Sequence, residues 1–415
     1  MNNLQDTLPA RTMTTSPTRR IVWPILGAIS ASHLLNDIMQ SLLLALYPLL
    51  KGSFHLDFMQ IGMITFTFQL TASVLQPLVG TVTDRHAMPW SLAVGMLCTF
   101  TGLTTLANAD SFAQILLAAA CVGMGSSIFH PEASRIARMA SGGQHGLAQS
   151  VFQVGGNTGA AAGPLLAAWL VLPHGQHSIE WVALAALVGF VLALGIGRWY
   201  AEQHRVAKQQ KPASQSSPLS PRLVRLTLAL LVALMFSKFF YLSSINNYLM
   251  FYLQHRFQVS NQLAQYHLFA FLASVALGTL LGGPIGDRIG RRRVIWISLF
   301  GIAPFTLAMP YAGLNGSLWL SMIIGFMLAS AFPAMVVYAQ ELLPGRTGAV
   351  SGLFFGLAFG LAGMGAALLG KVADLWGIDA LYRACSFLPV IGFLAFWLPD
   401  LRQHAPPHTP ATTPA

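Results

Sequence analysis

Twelve apolar runs follow one another between Trp23 and Leu398, and a helix needs only about 20 residues to cross a hydrocarbon core. No other property of the chain narrows its possible folds as far. In lipid every backbone amide and carbonyl must find its partner within the protein, which leaves helical bundles and closed barrels. Barrel strands alternate apolar and polar residues in segments of about 10, and these runs do not alternate, so an all-α integral membrane protein is expected. Composition agrees, with 54% hydrophobic and 9% charged residues against roughly 25% charged in soluble domains.

The formal charge of +10 would ordinarily suggest a polyanion such as nucleic acid, but the basic residues gather at the ends of alternate runs. With both termini in the cytoplasm, 18 of the 23 Lys and Arg fall on cytoplasmic segments, four lie outside and Lys238 lies within a run. The reverse orientation would break the positive-inside bias. A multi-pass protein of the lipid bilayer, with both termini cytoplasmic and no nucleic-acid partner, is therefore expected. Cys98, Cys121 and Cys385 fit no metal or redox spacing. The first run is too long for a cleaved signal peptide and reads as an uncleaved anchor.

The runs repeat. Gly283-Pro-Ile-Gly-Asp287-Arg288-Ile-Gly290-Arg291-Arg292-Arg293 closes the eighth run, and 203 positions earlier Gly80-Thr-Val-Thr-Asp84-Arg85 closes the second, with the glycine four residues before the acid in both. Ser330-Ala-Phe332 matches Ser127-Ile-Phe129 at the same offset, and Gly348 and Phe354 match Gly146 and Phe152 at an offset of 202. Such repetition points to two bundles rocking about a central site. The expected organisation is a polar cytoplasmic N-terminus (1–20), a six-helix bundle (21–202), a flexible cytoplasmic linker rich in Gln, Ser and Pro (203–221), a second six-helix bundle (222–400) and a disordered cytoplasmic tail (401–415).

Polar residues inside the runs fall on stripes. Between about Ile21 and Leu50, His33, Asn36, Asp37, Gln40 and Tyr47 share one helical face, which should turn from lipid because an unpaired charge there costs several kcal/mol. A merely structural pairing of Asp37 is the alternative. In the fourth run, His130-Pro131-Glu132 precedes Arg135; the proline predicts a kink, and Glu132 and Arg135 are spaced to pair locally. The fifth run has Gln149, Gln153 and Asn157 on one stripe and Gly155, Gly159 and Gly163 on another, the latter suited to close helix packing, with a bend at Gly159 to Pro164. Gly352, Gly356 and Gly360 predict a second such face in the eleventh run. Lys238, about 16 residues or 24 Å into the seventh run, is too deep for comfortable snorkelling, and Tyr241 and Tyr248 continue its stripe.

No enzyme is expected, because the chain has no phosphate loop, HExxH pair, serine nucleophile elbow or cysteine cluster. His33 and Asp37 stand at a spacing that can bind zinc, but they supply two ligands and no third is evident. Neither metal nor cofactor is expected. What remains is an intramembrane set of ionisable groups of both signs, of the kind that marks proton relays and substrate pathways: Asp37, His33, Glu132 and His130 as proton-coupling candidates, and Lys238 among polar side chains.

Ser32-His33-Leu-Leu-Asn36-Asp37, Gly125-Ser-Ser-Ile-Phe-His130-Pro131-Glu132 and Tyr338-Ala-Gln-Glu341-Leu-Leu-Pro-Gly345-Arg346, with the glycine-acid-arginine loop and its copy, resemble the major facilitator superfamily and, within it, bacterial fosmidomycin-resistance exporters. That resemblance implies an exporter of the bacterial inner (plasma) membrane that expels a small anionic phosphonate antibiotic in exchange for protons, and a monomer of two pseudo-symmetric six-helix bundles is expected. Lys238 would then meet the anion, with Gln40, Gln153, Asn157, Tyr241 and Tyr248 as further substrate contacts. Gly80, Asp84, Arg85, Gly283, Asp287, Arg288, Gly290 and Arg291 would form gating loops whose acids accept hydrogen bonds, from arginine or a helix N-terminus of the other half, when the cytoplasmic side is closed. Gly159, Gly163 and Pro164 are similar to the helix 5 motif of antiporters in the superfamily. The first loop departs from the pattern at His86-Ala-Met-Pro89, so the stronger gate contact is expected in the second half. Ala119 stands where many such antiporters have arginine, which shifts proton coupling onto His33, Asp37 and Glu132. Import or exchange of small organic anions or sugars would use the same stripes. A scaffold or sensor without flux would leave Asp37 and Lys238 without a purpose.

Overall fold

The structure, a computed structural model, describes residues 20–56, 58–209 and 219–401. The expected N-terminal extension up to residue 19, the middle of the linker and the tail beyond residue 401 lie outside the described residues. Every regular element among the described residues is helical, and the elements group into twelve spans. The first six are α1 (Trp23–Ala45, prolonged by Tyr47–Ser53), α2 (Phe58–Arg85), α3 (Ser91–Ala107), α4 (Phe112–Ala140), α5 (His145–Leu166) and α6 (Ile179–Gln209). The second six are α7 (Pro221–Phe257), α8 (Asn261–Ile289), α9 (Arg291–Leu299, then Ala303–Ala308), α10 (Leu314–Ala329, then Ala331–Leu342), α11 (Thr347–Trp376) and α12 (Ile378–Cys385, then the 3-10 stretch Leu388–Trp397). Helix α6 runs past the composition break at Gln203.

Nine spans are long and apolar enough to cross a membrane on length and hydropathy alone. Of the other three, α3 has 17 residues, while α1 and α5 carry the polar stripes, which lower their mean hydropathy. The distribution of polarity is the inverse of a soluble protein's. Ser32, His33, Asn36 and Gln40 of α1 are buried, whereas Phe66, Leu70, Val74 and Leu78 form an exposed apolar ridge along α2. Exposed apolar surface on this scale marks contact with lipid.

Glycines set how closely the helices approach. Gly155, Gly159 and Gly163 place α5 against the backbone of α1 at Ser30, Leu34 and Ile38, with no room for a side chain. Just beyond Pro164, α5 loosens into a π-helical turn, Ala167–Val171, consistent with the amide that proline lacks. Between the halves the repeat yields two equivalent seams, α2 with α11 and α5 with α8. Gly80 meets Gly348 at one seam and Gly283 meets Gly146 at the other, backbone against backbone. The glycine face of α11 thus differs from that of α5. Gly352 and Gly356 pack across the halves on Gln76 and Ser73 of α2, and Gly360 touches nothing.

Candidate functional site

The repeat packs the two bundles around a central cavity of about 260 Å³. Its first-half wall carries His33 and Asp37 of α1, His130 of α4, and Gln153 and Asn157 of α5. Its second-half wall carries Lys238, Phe239, Asn246 and Asn247 of α7, Thr279 of α8, Phe332 of α10, and Phe355 and Phe359 of α11. Asn157 donates to Thr279 Oγ1 at 3.1 Å across the division.

The first-half wall has a defined internal geometry. His33 Nδ1 lies 2.7 Å from the carbonyl oxygen of Phe152, and His130 Nδ1 lies 3.0 Å from that of Ser126. A carbonyl can only accept, so both rings carry hydrogen on Nδ1 and turn Nε2 toward the remaining neighbours. The two Nε2 atoms are 3.3 Å apart. His33 Nε2 is 3.3 Å from Asp37 Oδ2, and His130 Nε2 is 3.6 Å from Asp37 Oδ1. Asn36 and Gln40 donate to Asp37 Oδ1 at 3.0 and 3.1 Å, and Ser126 in turn donates to Gln40 at 2.9 Å. Phe152 stacks on His33 with ring centroids 4.0 Å apart. With both rings neutral, two lone pairs and a carboxylate face one another, and one added positive charge turns that repulsion into attraction.

The second-half wall holds one buried amine. Lys238 is 4% exposed and its Nζ donates to the carbonyl oxygen of Leu328 at 3.1 Å. The rings of Phe239 and Phe332 stand 5.5 and 5.7 Å from it, distances at which a ring face attracts a cation. Among the described residues no carboxylate forms an ion pair with it.

Other candidates fall elsewhere. Glu132 is buried outside the cavity lining, bonded to Arg135 at 2.8 Å and to Ser91 at 3.4 Å, so the local pairing offered by its i,i+3 spacing is the one formed. Gln40 supports Asp37 from behind. Tyr241 points to Met309 and Tyr248 donates to the carbonyl oxygen of Ala366 at 2.6 Å, so neither tyrosine lines the cavity. Sequence reasoning missed the aromatic wall of Phe239, Phe332, Phe355 and Phe359, and it missed that His130 would meet His33 and Asp37.

The acids expected in gating loops lie instead in the last turns of α2 and α8, and each reaches the first turn of a helix in the other half. Asp84 accepts from the amides of Gly348 and Ala349 of α11, both at 2.8 Å. Asp287 accepts from those of Gly146 and Leu147 of α5, at 3.0 and 2.9 Å. Amides at a helix start lack partners within the helix, and the dipole there favours an anion. The departure at His86-Ala-Met-Pro89 leaves no mark on these acid-to-amide contacts, which are nearly equal in the two halves, while the second-half acid has an ion pair in addition. The braces behind the acids differ. Arg291 bonds Asp287 at 2.7 Å and Glu341 at 3.2 Å, while in the first half Arg135, from α4, donates to the carbonyl of Thr83 at 2.8 Å and to Tyr200. Gly290 takes the left-handed conformation (φ 101°) that lets α8 turn directly into α9. Arg85 and Arg288 are exposed beside their acids.

The family profile of the Major Facilitator Superfamily matches residues 29–364 and, overlapping them, 232–414. The fosmidomycin resistance protein of Escherichia coli (strain K12) is 58% identical over 384 residues, 92% of this chain and 95% of that protein. An uncharacterised MFS-type transporter of Bacillus subtilis (strain 168) is 41% identical over 396 residues, 94% of this chain and 97% of that one. Among solved structures, the human organic anion transporter MFSD10 superposes with a TM-score of 0.73 at 20% identity, covering 91% of this chain and 99% of that one.

Proposed function

Since this chain belongs to the major facilitator superfamily, we propose that it is a proton-coupled antiporter that exports a small anionic antibiotic of the fosmidomycin type across the bacterial inner membrane by alternating access. One observation carries the reading: a single cavity has, on one half's wall, a lysine amine with no carboxylate partner among the described residues and, on the other's, a carboxylate with two imidazoles. The antibiotic class comes from the relative in Escherichia coli.

In this reading the anion draws the Lys238 ammonium from the Leu328 carbonyl, because a charge entering a desolvated chamber needs a compensating charge. Asp37 is the coupling acid, and His33 and His130, whose Nε2 atoms face its carboxylate, share its proton. Antiport requires the proton and the drug to favour different states of the cavity, through differential affinity. In this reading the Asp84 and Asp287 contacts lie on the cytoplasmic side and are the gate that breaks when the halves rock inward. Glycines at both seams, Gly80 with Gly348 and Gly283 with Gly146, permit the approach that closes it.

Reconstituted vesicles with an imposed pH difference provide the test. Wild-type protein is expected to accumulate fosmidomycin against its gradient. Asp37→Asn is expected to abolish that accumulation while keeping drug binding, because the amide preserves shape but not charge. Uphill accumulation by Asp37→Asn would refute Asp37 as the coupling acid, and no fosmidomycin flux by the wild type would refute the substrate.

A further inference from the structure

We propose that His33, His130 and Asp37 also form a binding site for one divalent transition-metal ion of the zinc type, held by the two Nε2 atoms and the carboxylate, with its fourth position open to the cavity. Their ligand atoms all lie within 4.8 Å of one another. The individual separations are 3.3 Å between the imidazoles and 3.3 and 3.6 Å from imidazole to carboxylate. Ligands bound tetrahedrally to zinc at 2.0–2.1 Å stand about 3.3 Å apart, so an ion fits among these groups with little movement.

The surroundings are those of a ligating set. A metal-bound imidazole usually gives its other ring hydrogen to a carbonyl or carboxylate, which fixes both tautomer and ring orientation. Here the Phe152 and Ser126 carbonyls receive those hydrogens. Asn36 and Gln40 hold the carboxylate from behind, and Ser126 holds Gln40. Two imidazoles with one carboxylate disfavour magnesium and calcium, which prefer oxygen ligands, and suit zinc, copper, nickel or iron. His33, Asp37, His130 and Lys238 are the charged or titratable groups of the lining, and Lys238 belongs to the opposite wall. A metal ion and the coupling proton claim the same lone pairs. The coordination argument itself is independent of what the cavity transports.

The site was hidden from a sequence reading because the third ligand stands 97 residues from the first. Purified full-length protein in detergent should bind one Zn²⁺ per chain by titration calorimetry, and Co²⁺ should show the visible absorption of a tetrahedral site that Zn²⁺ then bleaches. His33→Ala/His130→Ala should remove both signals. Asp37→Asn, which keeps shape and packing, should weaken binding about 10- to 100-fold, the range over which even outer-shell partners act. Equal stoichiometry and affinity in wild type and either variant, when each elutes as a single species, would place the ion on other histidines and overturn the proposal. Absence of Zn²⁺ binding to the wild type would overturn it as well.

Discussion

The two halves treat each other alike at the face held by Asp84 and Asp287 and unlike in the cavity. At the face, Asp84 and Asp287 grip the first turns of α11 and α5 with nearly equal bonds. In the cavity the two walls differ: the first half offers imidazoles and a carboxylate, the second a lysine among phenylalanines. A closure that two rocking bodies share can stay symmetric. In the proposed antiport, a chamber that must tell a proton from an anion cannot, since each needs its own wall.

The largest expected effect comes from removing the asymmetry. Lys238→Ala leaves the anion without its counter-charge, which for truncation of a buried charge pair costs about 2–5 kcal/mol, and fosmidomycin affinity should fall by a factor of about 30 or more. Lys238→Arg should recover only part, because a planar fork replaces a compact ammonium. Binding to detergent-purified protein is the measurement, and unchanged affinity in Lys238→Ala would mean that the two walls do not divide the labour.

The symmetric region predicts equality. Asp84→Asn and Asp287→Asn each lose charge-assisted bonds worth about 1.5–3 kcal/mol, so each should shift the population toward the cytoplasm-open state by about tenfold or more. Accessibility of a cysteine placed at Asn246 to a reagent from the cytoplasmic side reads this shift. A tenfold response in one variant and none in the other would break the equivalence.

A smaller effect, of the same sign at both seams, is expected from Gly80→Ala and Gly283→Ala. An added methyl meets the backbone of Gly348 or of Gly146 and should wedge the face open several-fold, on the scale of overpacking at about 1–3 kcal/mol. The same cysteine assay applies. The smallest effect should be that of Tyr248→Phe. Its hydroxyl is spent on the Ala366 carbonyl outside the cavity lining, so drug affinity should change less than about twofold; a larger loss would extend the substrate wall to a residue that now lies off it.

What a single sequence exposes here is what local spacing controls. The apolar runs, the offset between halves, the α1 stripe and the Gly155, Gly159, Gly163 face all follow from helical periodicity, and each reappears as a span, a seam or a contact. Asp37 and Lys238 were legible because charge inside an apolar run is costly enough to need a reason. His130 was legible as a candidate but not as a partner, since the meeting of α1 with α4 is a product of packing. Phe332 and Phe355 were invisible for a different reason: in an apolar helix, a phenylalanine lining a chamber and one facing lipid obey the same pattern. Tyr241 and Tyr248 misled because they continue the Lys238 stripe in spacing while their hydroxyls are taken by Met309 and Ala366.

In the proposed cycle the two carboxylate grips are connected in parallel. If one lets go, the other still ties the bundles together, and the freed carboxylate rebinds before separation proceeds. Opening toward the cytoplasm therefore waits on a coincidence, and its frequency scales with the product of two release probabilities. Thermal failure of a single grip opens no leak. An empty carrier so fastened is slow to reset on its own, whereas a ligand that loosens both seams together shortens the wait, which ties turnover to cargo through timing as well as through affinity.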